Sequence, residues 1–238
     1  MNSAYFQEKV ENTLLVTDKK EFHHLVRVRR VKLGEVIRLI DGNGNEYISR
    51  VDEINLRSRV LKATILEYHL KKHELPFKLT LAFSPLSEGR ANEYLIEKCT
   101  ELGVSEFIPV IFERSVKKHF RLERWSRIAK EAVKQCNRSI VPSLYEVLSF
   151  SELLKIEGFQ YKFFGYLEGK PLDCDRSING DTLLVIGPEG GFTGEEIEAL
   201  LKAGFRGFKF GETILKAETA AVALATLIIF RMGGTLKS

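Results

Sequence analysis

The 238-residue sequence predicts an α/β protein in two parts, a small β domain over residues 1–72 and a larger domain with a parallel sheet over residues 73–238. Two observations predict this division. In the N-terminal part, short runs alternate apolar and polar residues, which is typical of strands with one solvated face. After a predicted linker at 71–76, apolar runs alternate with helical patterns, and this alternation favours a parallel sheet covered by helices on both faces.

The N-terminal part contains a strong turn signal. Residues 41–45 read Asp-Gly-Asn-Gly-Asn between two apolar runs, and such residues tolerate the positive φ angles that tight hairpins need. A short helix is expected at 20–28. The predicted strands are 6–16, 36–40, 46–51 and 60–66.

The C-terminal part predicts five strands and five helices. Gly103 follows the helical pattern at 91–102 and is expected to end that helix in a left-handed conformation. The predicted strands are 78–83, 106–112, 161–167, 182–186 and 204–210. The predicted helices are 91–102, 121–135, 150–155, 194–203 and 217–232.

Composition narrows the class of protein. Hydrophobic residues make up 44% and charged residues 29% of the chain, as in ordinary soluble proteins. No apolar run approaches the roughly 20 residues of a membrane span, and the start lacks a secretory pattern. Cys99, Cys136 and Cys174 show no metal-binding spacing, and a sparse, odd cysteine count favours a reducing cytoplasm. We therefore expect a cytoplasmic protein with no membrane partner and no metal.

The positive charge is concentrated in the N-terminal part. Residues 1–72 hold 14 Lys and Arg against 10 Asp and Glu, whereas the rest of the chain holds 22 of each. Basic residues at 27–32 alternate with valines, which are expected to anchor the segment while the cations face a phosphate backbone. A solubilising surface is the competing interpretation. The predicted RNA-binding residues of this segment are Arg27, Arg29, Arg30 and Lys32.

A second basic segment covers residues 114–138, with nine basic and two acidic residues. Apolar residues recur at helical spacing within it, so part of the charge belongs to the solvated face of an amphipathic helix. The excess of basic over acidic residues favours an additional role in binding an anionic partner.

The strongest candidate for a binding site follows the apolar run at 183–186. The chain continues Gly187-Pro188-Glu189-Gly190-Gly191, and two consecutive glycines let the main chain approach a ligand closely. Thr193 and Glu196 form the pattern of a capping box for the next helix. Loops of this kind, beyond the carboxyl ends of strands, are where α/β proteins bind ligands. A tight turn without a ligand is the alternative.

A second loop of similar design lies downstream. An apolar run ends at Gly211, and an apolar helix is predicted to begin near Ala217. Glu218 suits the positive end of that helix, and small residues such as Ala220 allow close packing. A tightly packed core helix is the alternative. We expect the two loops to lie at neighbouring strand ends.

The two loops together carry a family resemblance. The sequence IGPEGG at 186–191 and the pattern G-x-x-I-L-x-x-E-T-A at 211–220 resemble the SPOUT methyltransferases of the RsmE type. Segments 87–90, 96–104, 134–138 and 141–142 also match, in the same order along nearly the whole chain. The family usually carries arginine where this chain has Thr213 and Lys216; lysine keeps the charge but not the planar fork.

The resemblance implies both architecture and activity. It implies a C-terminal SPOUT domain with a trefoil knot, an N-terminal PUA-like β-barrel and a homodimer. It also implies methylation of N3 of a uridine in 16S ribosomal RNA, with S-adenosylmethionine as cofactor and 16S ribosomal RNA or the small ribosomal subunit as partner. The implied cofactor-binding residues are Ile186, Gly187, Pro188, Glu189, Gly190, Gly191, Phe210, Gly211, Ile214, Leu215, Ala217 and Ala220. Further implied RNA-binding residues are Arg90, Gln135, Asn137 and Arg138.

The chemistry of this reaction selects candidate catalytic residues. The N3 proton must leave, so a base or a group that stabilises an anion is expected. All histidines lie in the first half of the chain, far in sequence from the two loops. The candidates are Glu189, Lys216, Glu218 and Arg138, and Glu218 ranks lower as a base because helix capping already explains it. The target base must be unpaired or flipped out.

Two alternatives remain open from the sequence. The first is a non-catalytic ribosome-assembly factor that retains the SPOUT fold and binds RNA, because Thr213 and Lys216 depart from the family pattern. A nucleotide-binding protein that uses the glycine loop for phosphates is the other, although no G-x-x-x-x-G-K-[ST] motif is present.

Overall fold

The structure is a computed structural model that describes residues 1–116, 120–171 and 180–231. The chain divides into two compact units, one of Met1–Glu74 with Val133–Val141 and the other of Leu75–Ala132 with Pro142–Ser238. Several predictions fall outside the described residues: Cys174, the charges of Lys117 and Lys118, and the end of the last helix at Met232.

The first unit is built on a six-stranded sheet. Its strand order is β1-β4-β5-β6-β3-β2, and every pairing is antiparallel except that of β1 with β4. Helix α1 (Lys19–His23) continues as a π-helical segment, His24–Val28. The strands are β1 (Ser3–Tyr5), β2 (Glu8–Val10), β3 (Thr13–Val16), β4 (Val36–Ile40), β5 (Asn45–Asn55) and β6 (Val60–Leu70).

Two turns in the first unit show where the predicted strands are confirmed and where they are wrong. The Asp41 carboxylate accepts hydrogen bonds from the main-chain nitrogens of Asn43 and Asn45, at 2.7 and 3.1 Å, so the predicted hairpin between β4 and β5 is confirmed. The predicted strand at 6–16 is in fact two strands. Glu11 takes a φ of 50°, and the chain folds back there into a β2–β3 hairpin.

The second unit contains the predicted parallel sheet. Its strand order is β10-β8-β7-β12-β11-β13, β9 pairs with β8, and every pairing is parallel. The strands are β7 (Leu79–Phe83), β8 (Glu106–Ile111), β9 (Ser143–Leu144), β10 (Leu148–Ser149), β11 (Tyr161–Pro171), β12 (Thr182–Ile186) and β13 (Arg206–Lys209). The helices are α2 (Gly89–Leu102), α3 (Leu122–Gln135), α4 (Phe150–Leu153), α5 (Gly194–Lys202) and α6 (Ala217–Arg231). The short strands β9 and β10 were not expected.

The central strand β12 shows why the sheet is buried on both faces. Leu184 and Ile186 pack into a cluster with residues of α2, α3 and α6, whereas Leu183 and Val185 pack into a second cluster with residues of α4 and α5. All five residues of β12 are buried. A continuous apolar run is therefore required, since neither face of the strand meets water.

Helix α2 ends at the residue that the sequence indicates. Gly103 has a φ of +107°, and its nitrogen donates to the Thr100 carbonyl at 3.0 Å. A Cβ atom there would lie 2.7 Å from the Leu75 side chain. Glycine is thus needed both for the left-handed conformation and for packing.

Two properties of the described part of the chain concern membranes and metals. None of its helices is long and apolar enough to cross a bilayer. The same residues contain no cluster of three side chains arranged to hold a metal ion.

Candidate functional site

A cavity of about 610 Å³ opens in the second unit at the carboxyl ends of its strands. Its lining comes mainly from the segment that follows β12, residues 186–192, and from the segment around the end of β13, residues 208–218 without Glu212. Residues 165–167 of β11 complete one wall, with contributions from the starts of α2 and α6. The cavity therefore joins the two loops that the sequence indicates.

All twelve predicted cofactor-binding residues lie on the cavity wall. Of the four predicted catalytic residues, Glu189, Lys216 and Glu218 line it as well, as does Thr213. The expectation that the two loops follow neighbouring strands is wrong, because β11 lies between β12 and β13. The structure thus brings these residues together, while their roles in binding and reaction stay predictions.

The first loop has a defined shape. The Gly191 nitrogen donates to the Pro188 carbonyl at 2.8 Å, and Gly191 takes a φ of +71°. A Cβ atom on Gly187 would lie 2.7 Å from the Phe192 ring. That ring packs edge-on against Phe112, with centroids 5.3 Å apart. Gly187 and Gly191 are therefore needed for close packing and for the turn, respectively.

Hydrogen bonds hold this loop at Glu189 and directly after its end. The Ser87 hydroxyl donates to Glu189 Oε1 at 2.9 Å. Farther on, the predicted capping box of α5 is confirmed: Thr193 Oγ1 accepts from the Glu196 nitrogen, and Glu196 Oε2 accepts from the Thr193 nitrogen. Glu196 is buried, and its other oxygen accepts from the Glu113 nitrogen at 2.8 Å.

The second loop is more exposed. Phe210 is 53% exposed and Ile214 is 81% exposed although both line the cavity. Lys209 Nζ lies 2.6 Å from Glu212 Oε1, which closes a short ion pair across the loop. The Ala220 nitrogen donates to the Lys216 carbonyl at 2.8 Å, so α6 begins directly after the loop. The loop therefore presents an apolar rim around the cavity.

Arg138 lies elsewhere than the other three catalytic candidates. It belongs to the first unit, is 3% exposed and does not line the cavity. Its Nε and Nη2 atoms donate to Glu74 Oε2 at 2.9 and 2.8 Å. Glu74 Oε1 also accepts from the nitrogens of Ser139 and Ile140. These contacts indicate a structural role for Arg138, and its catalytic role stays a prediction without support from the cavity.

The predicted RNA-binding residues come from three segments of the chain. Arg27, Arg29, Arg30 and Lys32 are all exposed on the first unit, and Arg90 is exposed at the start of α2. Of the two valines expected to anchor the first segment, Val31 is buried but Val28 is 57% exposed, so that expectation is wrong for Val28. The remaining predicted residues, Gln135 and Asn137, precede Arg138 in the first unit.

Sequence reasoning missed three parts of the site. Ser87 and Arg114, which contact the first loop, lie about 100 and 75 positions away from it in the chain, and no periodicity pairs such distant residues. The third part is the β11 wall. There Gly165 was a usable signal, because a glycine within a strand often marks a close approach; a Cβ atom on it would lie 2.9 Å from Leu224 Cδ1.

Two family models match this chain, and they follow each other in the order predicted for the two domains. Residues 16–61 match the RNA methyltransferase PUA domain, and residues 73–229 match the RNA methyltransferase domain.

Curated relatives and solved structures match over almost the whole chain. Ribosomal RNA small subunit methyltransferase E of Synechocystis sp. is 32% identical over 93% of this chain and 74% of its own length. The Bacillus subtilis protein of the same name is 32% identical over 89% of this chain and 88% of its own. The crystal structure of the Neisseria gonorrhoeae ribosomal RNA small subunit methyltransferase E bound to S-adenosyl methionine has a TM-score of 0.87, at 29% identity and 97% coverage of both chains. The resemblance inferred from the two glycine loops is thereby confirmed.

Proposed function

The chain belongs to the ribosomal RNA small subunit methyltransferase E family, and we propose that it transfers a methyl group from S-adenosylmethionine to N3 of a uridine in small-subunit ribosomal RNA. The observation that carries the proposal is that both glycine loops line the same cavity. The 1–72 domain is proposed to bind RNA and the 73–238 domain to carry out the transfer.

The cavity fits a methyl donor of this size and character. Its volume of about 610 Å³ falls within the roughly 300–1,000 Å³ of small-molecule sites. Gly191 and Gly211 line it, and a Cβ atom on either would meet no atom within 4 Å. The space beside the Cα atoms of these glycines is therefore open, while Ile214 and Leu215 offer apolar surface for an adenine ring.

Residues 187–192, here called the donor loop, and the segment 210–217 are proposed to hold S-adenosylmethionine. When bound, this cofactor supplies a methyl group on a positively charged sulfur, which a nitrogen nucleophile can attack. The protein then contributes mainly alignment, and correct placement of two reactants can lower a barrier by roughly 7–11 kcal/mol.

Glu189 is proposed to accept the N3 proton of the target uridine. Glu189 lines the cavity, and its carboxylate accepts a hydrogen bond from the Ser87 hydroxyl. A base in this position must be within hydrogen-bond reach of the proton that it removes. Lys216, also on the cavity wall, is proposed to stabilise the negative charge that develops on the uracil ring. Glu218 ranks below Glu189 as the base. It lies in the first turn of α6, where a carboxylate is already explained by the helix dipole.

The exposed cations are proposed to contact the ribosomal RNA. Arg27, Arg29, Arg30 and Lys32 suit phosphate contacts on the first unit. Arg90 is adjacent in sequence to the cavity residue Ala91, so its guanidinium suits a phosphate near the target base. The N3 edge is used in base pairing, and the target uridine must therefore be unpaired or flipped out when it reacts.

Two features of architecture are also proposed. A trefoil knot in the C-terminal part is supported by the family to which the chain belongs. A homodimer is supported by exposed apolar side chains near the cavity and on α6, including Ile214 at 81% and Phe230 at 69% exposure. Light scattering that gives a monomer mass at micromolar concentration would contradict the dimer.

A cytoplasmic location is proposed because the proposed substrate is ribosomal RNA.

Mass mapping of 16S ribosomal RNA from a strain that lacks this protein tests the function. We expect one methyluridine to disappear and to return when the intact gene is supplied. Calorimetry with S-adenosylmethionine and, separately, ATP tests the cofactor, and binding of only the first is expected. An unchanged methylation pattern, combined with RNA binding, would favour the alternative of a non-catalytic assembly factor suggested by Thr213 and Lys216.

A further inference from the structure

An arginine outside the predicted site holds the donor loop. Arg114 follows β8, and its Nη1 atom donates to the main-chain carbonyl of Gly190 at 3.0 Å and to that of Phe192 at 3.4 Å. Both acceptors belong to the donor loop, and Gly190 lines the cavity. One side chain therefore joins the end of β8 to the loop that follows β12.

The turn that carries Arg114 is itself fixed. The Ser115 nitrogen donates to the Phe112 carbonyl at 3.1 Å, and the Phe112 nitrogen donates to Ser115 Oγ at 2.8 Å. Ser115 Oγ also lies 2.8 Å from Ser84 Oγ. On the other side, the Glu113 nitrogen is bonded to the buried Glu196. Although the Arg114 side chain is exposed, its backbone is anchored on both sides, which limits the positions that its guanidinium occupies.

The donor loop needs such an external support. Gly190 and Gly191 are consecutive glycines, and glycine loses more conformational freedom on ordering than any other residue. Within the loop, the described main-chain hydrogen bond runs from Gly191 to Pro188. A loop that has to be ordered when the ligand arrives binds more weakly than one that is already ordered.

We propose that Arg114 is a positioning residue for methyl transfer, which holds the carbonyls of Gly190 and Phe192 and so keeps the donor loop in the shape that binds S-adenosylmethionine. This inference rests on the proposed function. Charge-assisted hydrogen bonds of this kind are stronger than neutral ones. Both bonds come from the single nitrogen Nη1, so an ammonium group near that point can replace them in part.

Ser87 makes a different contact with the same loop, and this allows an internal comparison. Its hydroxyl binds the side chain of Glu189 and not a loop carbonyl. Loss of Ser87 is therefore expected to lower kcat more than it raises KM for the donor. Loss of Arg114 is expected to weaken donor binding first, and so to raise KM for the donor more than it lowers kcat.

The experiment uses the full-length protein and calorimetric titration with S-adenosylmethionine. We expect Arg114→Gln to weaken binding roughly tenfold and Arg114→Lys to recover a good part of the loss. Arg127→Gln is the matched control, because Arg127 is an exposed arginine of α3 that does not line the cavity. It removes the same charge and is expected to leave donor affinity unchanged.

A second measurement needs no ligand. Cleavage after Glu189 by a glutamate-specific protease reports directly on order in the donor loop, and mass spectrometry identifies the site. We expect several-fold faster cleavage there in Arg114→Gln than in the parent or in Arg127→Gln, with thermal unfolding unchanged. If Arg114→Gln fails to fold, the comparison of Arg114→Lys with the parent decides by the same two measurements.

The outcomes separate the inference from the function on which it rests. If the parent protein binds S-adenosylmethionine and Arg114→Gln binds it equally well, with the same cleavage rate at Glu189, Arg114 has no positioning role. If the parent protein does not bind S-adenosylmethionine at all, the proposed function fails. A cleavage difference at Glu189 in that case still shows that Arg114 orders the loop, but for another ligand.

Discussion

Arg138 Nη2 lies 2.8 Å from Glu74 Oε2, and the two side chains are only 4% and 7% exposed. The carbonyls of Asn137 and Arg138 accept hydrogen bonds from Arg38 Nη2 at 2.9 and 2.6 Å. Arg38 in turn pairs with the buried Glu46 at 2.7 Å. Two buried ion pairs therefore hold residues 137–138 in the first unit, within a segment that matches the family pattern.

This pairing predicts that Arg138 contributes to stability. Removing one partner of a buried ion pair leaves an uncompensated charge, which typically costs about 3–5 kcal/mol. We expect Arg138→Ala to lower the free energy of unfolding by about that amount, measured by urea denaturation. Arg127→Ala, at an exposed position, is the control. Unchanged stability together with lost methylation would instead support a catalytic Arg138.

The packing of Gly187 predicts that even a methyl group there disturbs the donor loop. A Cβ atom would lie 2.7 Å from the Phe192 ring, which is packed against Phe112 and Phe164. We expect Gly187→Ala to weaken S-adenosylmethionine binding at least about tenfold in calorimetry, a change of about 1.4 kcal/mol. Gly194→Ala serves as the control because a Cβ atom there meets nothing within 4 Å. Equal affinities of the two variants would contradict the prediction.

The glycines at the two ends of α2 predict opposite effects of alanine substitution on stability. Gly103→Ala would place a methyl group 2.7 Å from Leu75 at a φ of +107°, and we expect it to destabilise the protein by about 1–3 kcal/mol. Gly89 begins the same helix in open space. Gly89→Ala should be neutral or stabilising by up to about 1 kcal/mol, since alanine restricts the unfolded chain. Thermal and urea unfolding measure the stability of both variants. A Gly103→Ala variant as stable as the parent protein would contradict the prediction.

Cys99 is expected to resist alkylation in the folded protein. It is fully buried in the core of the second unit, and burial raises the pKa of its thiol well above the ordinary value, because the apolar surroundings disfavour the thiolate. The thiolate is the reactive form. Iodoacetamide at pH 8 should therefore modify the half-buried Cys136 before Cys99, as peptide mass mapping can show. Rapid modification of Cys99 in native conditions would mean that the core opens readily.

Local patterns were enough for most elements of the fold. The four consecutive apolar residues at 183–186 predicted a buried strand, and β12 is buried on both faces. Gly103 and the Thr193–Glu196 pair marked helix ends correctly, since capping depends on residues only a few positions apart. The prediction failed at Glu11, where a non-glycine residue takes a positive φ and the local turn signal, Asn12, is weak without a neighbouring glycine or proline.

The sequence by itself determined which segments form strands, where two glycine loops interrupt them and which family they resemble. These features depend on residues close together in the chain. Only the tertiary structure decided that β11 separates the strands of the two loops, that Arg138 pairs with Glu74, and that Ser87 and Arg114 hold the donor loop. Contacts between residues 64 to 102 positions apart arise from strand order and packing, and spacing along the chain does not encode them.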